Sequence, residues 1–398
     1  MTRDVTKQGL FVSDPTVIMS PLEPSHPRVA LVVPTFEAGA TWPAFIQAVQ
    51  GQVGVDMTVW VVDSNSKDGT LGLAQSCAWN TLSLGERAFN HGGTRQWAIE
   101  RIERIKADVE FVVLMTQDAL LATPDALCRL LKPFADESVG AVYGRQLPHA
   151  DATLLAAQAR FFNYPNSSFV NTFEDRARLG LKAAFCSNSF AAYRLTHFKV
   201  VGGFPKHVIM GEDMSVAARM LMAGFKVAYA SEALVYHSHN HSFKEEFQRY
   251  FDTGVFHAQA PWLLENFGSV KSEGLKMLKA QLLLAVTRSS TRGEPITNWV
   301  QGVQPSLEEP TDSAHAVLLK CQERFDEQLE VIASSGMRQG MKQKIKQGIK
   351  QVLMVLEVLI RMAIKLIAYR LGRAYRSLPA AWVTLWSSHK AYWPQNDR

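Results

Sequence analysis

The sequence predicts an α/β domain, with a mainly parallel sheet flanked by helices, and a helical extension that follows it. Short apolar runs typical of buried strands occur at 29–33, 58–62 and 111–115. Segments with helical periodicity follow the first two runs, and this order implies parallel strands joined by right-handed crossovers. Each run ends in polar residues, so the carboxyl ends of the strands predict a ligand site at one edge of the sheet.

Length and composition indicate a globular protein of two or three units. The chain has 398 residues, of which 47% are apolar and 20% charged, and this composition excludes a disordered protein. Its four cysteines show no paired spacing and no apolar leader precedes the proline-rich start, so we expect a reduced, cytoplasmic chain. The expected units are a flexible arm at 1–27, the α/β domain at 28–262, a helical and linker region at 263–335 and a basic amphipathic region at 336–398.

Residues suited to a ligand follow the first two strands. A polar turn at 34–37 ends the first strand, and Asp63 lies just after the second. Further along, Gly92 and Gly93 precede a helix predicted at 96–106, where a glycine pair lets the backbone come close to a ligand. The pair is a weak phosphate signal, because it lacks the G-x-G-x-x-G or Walker spacing.

The central strand, 111–115, ends directly in Thr116, Gln117 and Asp118. A carboxylate just past a buried strand lies where open α/β sheets bind their ligands. The alternative is that Asp118 caps the next turn, which is the common role of a single Asp after a strand.

Two further polar groups follow in the second half of the domain. Glu212 and Asp213 open a predicted helix. Acids in the first turn usually complement the helix dipole, and the alternative is that these two take part in a chemical reaction. His237, His239 and His241 end a predicted strand and suit either an ordinary polar strand end or, with a carboxylate from another strand, a metal site. Imidazole and carboxylate both suit Mn²⁺, while Mg²⁺ prefers oxygen ligands.

The motifs together resemble family 2 glycosyltransferases, the inverting enzymes with the GT-A nucleotide-sugar fold, and more narrowly their bacterial rhamnosyltransferase-like branch. Many family members carry two acids in a D-x-D element, whereas here Thr116 and Gln117 precede Asp118, a pattern similar to that branch. The matching segments run in the family's order from about 28 to 262: V-V-P-T-F-E-A-G, V-V-D-S-N-S-K-D-G-T, F-N-H-G-G-T-R, L-M-T-Q-D-A, A-V-Y-G-R-Q-L-P, F-C-S-N-S-F-A-A-Y-R, V-G-G-F-P, G-E-D-M, V-Y-H-S-H-N-H-S and R-Y-F-D-T-G-V-F-H-A.

The resemblance implies a role for each candidate residue. Asp213, with Glu212 beside it, would be the general base that takes the proton of the acceptor hydroxyl. Asp118 and His237, with His239 as a less certain addition, would hold a divalent ion, Mg²⁺ or Mn²⁺, across the donor diphosphate. Arg95 would lie over or beside the nucleoside base. The residues implied to bind the nucleotide-sugar donor are Thr35, Glu37, Asp63, Asn65, Arg95 and Gln117.

The implied reaction passes L-rhamnose from dTDP-rhamnose to a lipid-linked or growing polysaccharide. One alternative is another hexose from a UDP-sugar. An alternative from another class is a nucleotidyltransferase, which would need a glycine-rich basic loop after the first strand. A further alternative is an inactive carbohydrate-binding scaffold, which would have no need for Asp63, Asp118, Asp213 and His237 together. No nucleic-acid partner is expected.

The C-terminal region predicts a basic amphipathic helix at 339–371. The stretch 338–376 carries ten lysines and arginines against one acid, Glu357, a net charge of +9. Arg361 and Lys365 lie opposite an apolar face, and charges interrupt every window long enough to span a bilayer. Either this helix packs on the catalytic domain, or it holds the enzyme peripherally at the inner face of the cell membrane.

Overall fold

The computed structural model describes residues 28–268, 271–287 and 339–393. The expected arm at 1–27, much of the expected helical and linker region at 263–335, and one of the four cysteines, Cys321, lie outside them. The strands are β1 (Arg28–Thr35), β2 (Asp56–Asp63), β3 (Asn80–Ser83), β4 (Phe111–Met115), β5 (Leu120–Leu121), β6 (Val139–Leu147), β7 (Phe169–Asn171), β8 (Phe190–Arg194) and β9 (Lys226–Tyr236).

Helices cover the sheet and form the C-terminal extension. They are α1 (Trp42–Gln50), α2 (Thr70–Ser76), α3 (His91–Ile105), α4 (Ala126–Leu131), α5 (Leu154–Asn163), α6 (Arg176–Leu179), α7 (Leu195–Val200), α8 (Glu212–Met222), α9 (Phe243–Gln259), α10 (Pro261–Phe267), α11 (Lys271–Thr287), α12 (Gln339–Arg373) and α13 (Ala380–Trp386). The predicted α/β class with a helical extension is confirmed.

The nine strands form one mixed sheet, in the order β3-β2-β1-β4-β8-β6-β9-β5, with β7 also paired to β9. The first four strands in this order are parallel, as predicted for β1, β2 and β4, and the register of β1 and β2 places Thr35 opposite Asp63. Strand β8 then runs antiparallel between β4 and β6, while β6 and β9 are parallel. The ends of β1, β2 and β4 therefore meet at one edge, and the ends of β6 and β9 meet beside them.

Apolar side chains fill both faces of this sheet. Every residue of β4 is buried, because helices cover it on both sides. Trp42 and Phe45 of α1 stack on one face, with ring centroids 4.9 Å apart. Tyr193, Phe198 and Phe204 form part of the core on the other.

Helix α3 begins earlier than predicted, at His91, because the Asn90 side chain caps it by accepting a hydrogen bond from the Gly93 amide (2.8 Å). The glycine pair therefore lies in the first turn. A Cβ atom on Gly92 would stand 2.0 Å from the Pro205 carbonyl oxygen, and one on Gly93 2.5 Å from that of Lys206. These glycines allow α3 to pack on a neighbouring loop, rather than opening a backbone to a ligand.

The long helix α12 packs along α9 of the domain that precedes it. The two backbones touch where glycines face each other, since a Cβ on Gly372 would lie 2.0 Å from the Phe251 carbonyl oxygen. Arg361 and Lys365 form ion pairs with the largely buried Glu246, at 2.9 and 3.0 Å. Both cations thus face the domain, and they are not available for the lipid headgroups that the sequence suggests for them.

The opposite side of α12 is apolar and exposed. We call this set the α12 stripe, and its members are each 46–60% exposed: Val352, Leu353, Leu356, Leu359, Ile360, Leu366 and Ile367. Among the described residues, no helix is both long enough and apolar enough to cross a bilayer.

Candidate functional site

Asp63 joins the turn after β1 to the loop after β2. Its carboxylate, in a residue only 1% exposed, accepts hydrogen bonds from the Thr35 hydroxyl (3.2 Å) and from the amide (3.0 Å) and hydroxyl (2.6 Å) of Ser66. The Ser66 oxygen in turn accepts from the Glu37 amide (2.8 Å). Asp63 and Thr35 are therefore buried residues that hold the two loops together, while Glu37 is exposed.

Two more of the predicted donor-binding residues order the neighbouring loops. The Gln117 side chain bonds to both backbone groups of Phe36, accepting from the amide (2.8 Å) and donating to the carbonyl (3.0 Å). Asn65 has a left-handed backbone (φ 67°), and its side chain donates to the Gly85 carbonyl (2.5 Å). The sheet edge thus brings Thr35, Glu37, Asp63, Asn65 and Gln117 into one cluster of loops.

Asp118 lies beside the histidines that follow β9. Its Oδ2 atom is 3.6 Å from Nε2 of His237 and 3.8 Å from Nε2 of His239. One ligand atom from each of the three residues lies within 4.8 Å of the others, a spacing that could hold a metal ion. This arrangement arises because β5, just after Asp118, pairs with the end of β9. We call these three residues the metal group.

Asp118 and His239 of the metal group border an open cleft of about 410 Å³, which His149 and His241 also line. Burial would raise the pKa of Asp118, but the adjacent His237, when it is protonated, holds that pKa well below its usual range. Burial, together with the charge of His237, lowers the pKa of His239 to about 4. Near neutral pH the group is therefore a carboxylate facing an unprotonated His239 imidazole, as metal ligation requires.

Glu212 and Asp213 open α8 after Gly211, whose left-handed backbone (φ 74°) fits only without a side chain, since a Cβ would lie 2.5 Å from the Phe256 ring. Asp213 accepts hydrogen bonds from the amides of Asn188 (3.1 Å) and Met214 (2.8 Å). Burial, and then the negative charge of Glu212, raise the pKa of Asp213 to about 7. A carboxylate that titrates there can accept a proton near neutral pH.

Glu212 is fully engaged with its neighbours. It is 4% exposed, pairs with Arg95 at 3.3 Å and accepts from the Asn188 side chain at 2.9 Å. Burial would raise the pKa of Glu212, but the Arg95 charge lowers it below its usual value. Arg95 is buried against Glu212, because α3 packs beside the start of α8. The place over or beside a nucleoside base that the resemblance implies for Arg95 stays a prediction.

The C-terminal segment reaches the same cluster. The amide and hydroxyl of Ser388 both donate to the fully buried Asp252, the amide at 2.9 Å. The His389 ring meets the His91 ring edge to face, 4.6 Å between centroids, and His91 lies next to Arg95. Asp252 lies in the matching segment R-Y-F-D-T-G-V-F-H-A, but the sequence analysis assigns it no role. His389 has no sequence signal, because it is not part of a polar strand end or a helix start.

Arg249 begins the same segment, and the sequence analysis assigns it no role either. It lies on α9 and is exposed. Burial lowers the pKa values of His91 and of His239, and the positive charge of Arg249 adds a smaller lowering to both. Arg249 therefore stands within electrostatic reach of both the metal group and the cluster around Glu212.

Comparisons with known proteins agree with these features. The model of the family described as glycosyltransferase like family 2 matches residues 26–251. The O-antigen chain rhamnosyltransferase RfbN of Salmonella typhimurium is 45% identical over 256 residues, which are 64% of this chain and 80% of that protein. The O-antigen chain rhamnosyltransferase WbaN of Salmonella anatum is 46% identical over 257 residues, with the same two shares.

Among solved structures, the mannosyltransferase PcManGT of Pyrobaculum calidifontis, in complex with GDP-mannose and Mn²⁺, is similar with a TM-score of 0.49 and 18% identity, over 89% of each chain. The family model covers more than half of the present chain and spans the strand ends, the metal group and the start of α8. The protein belongs to the family 2 glycosyltransferases.

Proposed function

We propose that the protein is an inverting rhamnosyltransferase that moves L-rhamnose from dTDP-rhamnose to a hydroxyl of a lipid-linked or growing polysaccharide. The two relatives are O-antigen chain rhamnosyltransferases, and this supports the sugar and the acceptor class. The observation that carries the chemistry is the contrast between two carboxylates: Asp118 stays ionised beside imidazoles, while Asp213 titrates near neutral pH.

Asp213 is the proposed general base. As the acceptor oxygen attacks C1 of the sugar, its proton passes to the Asp213 carboxylate, and the bond from C1 to the diphosphate oxygen breaks with its electron pair leaving on the nucleoside diphosphate. Attack from the side opposite the leaving group inverts the configuration at C1. The fixed negative charge of Glu212 keeps the Asp213 carboxylate basic enough for this transfer.

The metal group is the proposed site for a divalent ion, Mn²⁺ or Mg²⁺. Asp118 Oδ2, His237 Nε2 and His239 Nε2 face one another at distances that a bound cation would bridge, and a carboxylate with two imidazoles fits Mn²⁺ better than Mg²⁺. Such an ion neutralises charge that develops on a leaving diphosphate. Arg249, exposed nearby, would add to that neutralisation.

The loops ordered by Asp63 and Gln117 are the proposed nucleoside site. Thr35, Glu37 and Asn65 complete it, and Phe36, 56% exposed at its rim, offers an aromatic surface for a base. The same site would accept a UDP-hexose, which is the alternative donor. The complete set of acids and histidines disfavours an inactive carbohydrate-binding scaffold, and the turn after β1 lacks the glycine-rich basic loop expected of a nucleotidyltransferase.

A donor panel tests this proposal. Purified protein is offered dTDP-rhamnose and several UDP-hexoses with a soluble acceptor analogue and Mn²⁺, and NMR determines the anomeric configuration of any product. We expect turnover with dTDP-rhamnose and inversion at C1. Faster turnover with a UDP-hexose would show that this sugar nucleotide, and not dTDP-rhamnose, is the donor. Retention of configuration at C1 would contradict the role of Asp213 as the general base.

The membrane surface is the proposed place of action, at the inner face of the cell membrane. The α12 stripe is a continuous apolar surface, and a helix that carries such a face together with many basic residues binds at lipid interfaces. Arg370, Arg373 and Arg376 follow the stripe and are exposed, so anionic headgroups could contribute roughly 1 kcal/mol for each one near the surface. A lipid-linked acceptor would be presented there.

Vesicle co-sedimentation tests this placement. We expect the triple variant Leu353→Gln, Leu356→Gln and Ile360→Gln to lose most of its binding to anionic vesicles, because these residues are 46–48% exposed on one face of α12. The matched control replaces Val53, Leu73 and Val200 by Gln, which are 59%, 45% and 70% exposed elsewhere. Equal binding by both triple variants would refute the membrane role of the stripe.

A further inference from the structure

Gln146, near the end of β6, is a buried amide held on three sides. It is 2% exposed. Its Nε2 donates to the Ser187 hydroxyl oxygen (3.0 Å), while its Oε1 faces both a guanidinium nitrogen of Arg160 (2.6 Å) and Nδ1 of His237 (2.8 Å). The amide thus lies directly behind one of the three members of the metal group.

Arg160 fixes the orientation of this amide. A guanidinium has donors and no acceptor, so the amide atom facing Arg160 must be the oxygen. Because the same oxygen also faces Nδ1 of His237, that nitrogen must carry a hydrogen and donate it. The orientation of the Gln146 amide therefore follows from the chemistry of Arg160 alone.

The tautomer of His237 is then determined. A neutral imidazole carries one hydrogen, so an Nδ1–H leaves the lone pair on Nε2, the atom 3.6 Å from Asp118 Oδ2. Asp118 alone would favour the other tautomer, with a hydrogen on Nε2 shared with the carboxylate. The contact to Gln146 is 0.8 Å shorter than the contact to Asp118, and a gap of 3.6 Å is too long for a good hydrogen bond.

We propose that Gln146 is a positioning residue that holds His237 as the Nδ1–H tautomer and so directs the Nε2 lone pair at a divalent ion, with Arg160 holding Gln146 in the required orientation. The inference rests on the metal role proposed above for His237. Neither Gln146 nor Arg160 is a member of the metal group, so both would act on a bound ion only through His237. Partners of this kind typically change metal affinity 10–100-fold when removed.

The tautomer can be measured without any metal. Long-range ¹H–¹⁵N correlation spectra of protein labelled at histidine nitrogens distinguish the two tautomers, and the His237→Gln variant identifies the His237 signals. Spectra are recorded with chelator at about pH 9, above the ordinary titration range of histidine. We expect the Nδ1–H form in the wild type, and the Nε2–H form or a mixture in Gln146→Leu and in Arg160→Met.

Two variants serve as controls. Gln146→Glu keeps an oxygen that accepts from both Arg160 and His237, so it should retain the Nδ1–H form. Ser187→Ala removes the third partner of the amide without touching the oxygen, and it should also retain it. If Gln146→Leu does not fold, Arg160→Met still tests the inference, because it frees the amide to turn while leaving Gln146 in place.

Titration with Mn²⁺, followed by electron paramagnetic resonance, gives the second readout. We expect Gln146→Leu to bind Mn²⁺ about 10–100-fold more weakly than the wild type, and Gln146→Glu and Ser187→Ala to bind within a few-fold of it. An Nε2–H tautomer in the metal-free wild type, or unchanged affinity in Gln146→Leu, would overturn the inference. If the wild type binds no Mn²⁺, the proposed metal role fails, and the tautomer spectra alone show whether Gln146 still sets His237.

Discussion

Asp118 and Asp213 are two partly buried carboxylates whose pKa values move in opposite directions. Burial penalises the ionised form of both. At Asp118, the contact with His237, which is charged when protonated, outweighs that penalty, so the group stays ionised. At Asp213, the charge of Glu212 adds to the penalty and the pKa rises to about 7. Burial raises the pKa of both acids, and the neighbouring side chains decide whether that shift is reversed, as at Asp118, or increased, as at Asp213.

The position of Arg95 sharpens this contrast. Its guanidinium pairs with Glu212 at 3.3 Å, and it lowers the pKa of Asp213 by less than burial and Glu212 raise it. Glu212 therefore remains ionised next to Asp213, instead of taking up the proton itself. A cation placed on Asp213 would have turned it into a second ionised acid like Asp118.

The largest expected effect comes from removing the proposed base. Asp213→Asn keeps the size of the side chain but cannot accept a proton, so transfer should fall by at least about 100-fold. Binding of the nucleotide, measured by calorimetry, should change little, because the metal group and the nucleoside loops remain. The control is Asp175→Asn, an acid at the start of α6. Near-normal turnover by Asp213→Asn would show that Asp213 is not the general base.

Removal of the metal group should act through a different step. Asp118→Asn takes away the charged ligand, so we expect weaker Mn²⁺ binding and a fall of at least about tenfold in transfer. Chelator should stop the wild-type reaction, and added Mn²⁺ or Mg²⁺ should restore it. Asp213→Asn should bind Mn²⁺ like the wild type. Full activity in chelator would instead assign the neutralisation of the diphosphate to cations such as Arg249.

The smallest expected effect is a shift of the pH profile. A base works only when deprotonated, so kcat/KM of the wild type should fall as the pH drops below about 7, the pKa of Asp213. Glu212→Gln removes the negative charge that helps to raise that pKa. The midpoint of the acid limb should then move to lower pH, even if the maximal rate also falls. The matched control is Glu232→Gln, a change at an exposed residue. The midpoint of its acid limb should equal that of the wild type.

The sequence by itself determined the fold class, the first parallel strands and the positions of most candidate site residues. Apolar runs mark buried strands, and Asp63, Asp118 and His237 follow such runs directly. Glu212 and Asp213 likewise stand at a recognisable helix start. These signals are local, because the periodicities of strands and helices are written in neighbouring residues.

Only the tertiary structure decided what these residues touch. Gln146 meets His237 across 91 positions, Ser388 meets Asp252 across 136, and Arg361 turns inward to Glu246 across 115. The burial of Arg95 on Glu212 and the outward α12 stripe are of the same kind. Such contacts depend on how the sheet and helices pack against one another. A pKa, a tautomer or an exposed face depends on those distant neighbours, so the local pattern that locates a residue does not fix its chemistry.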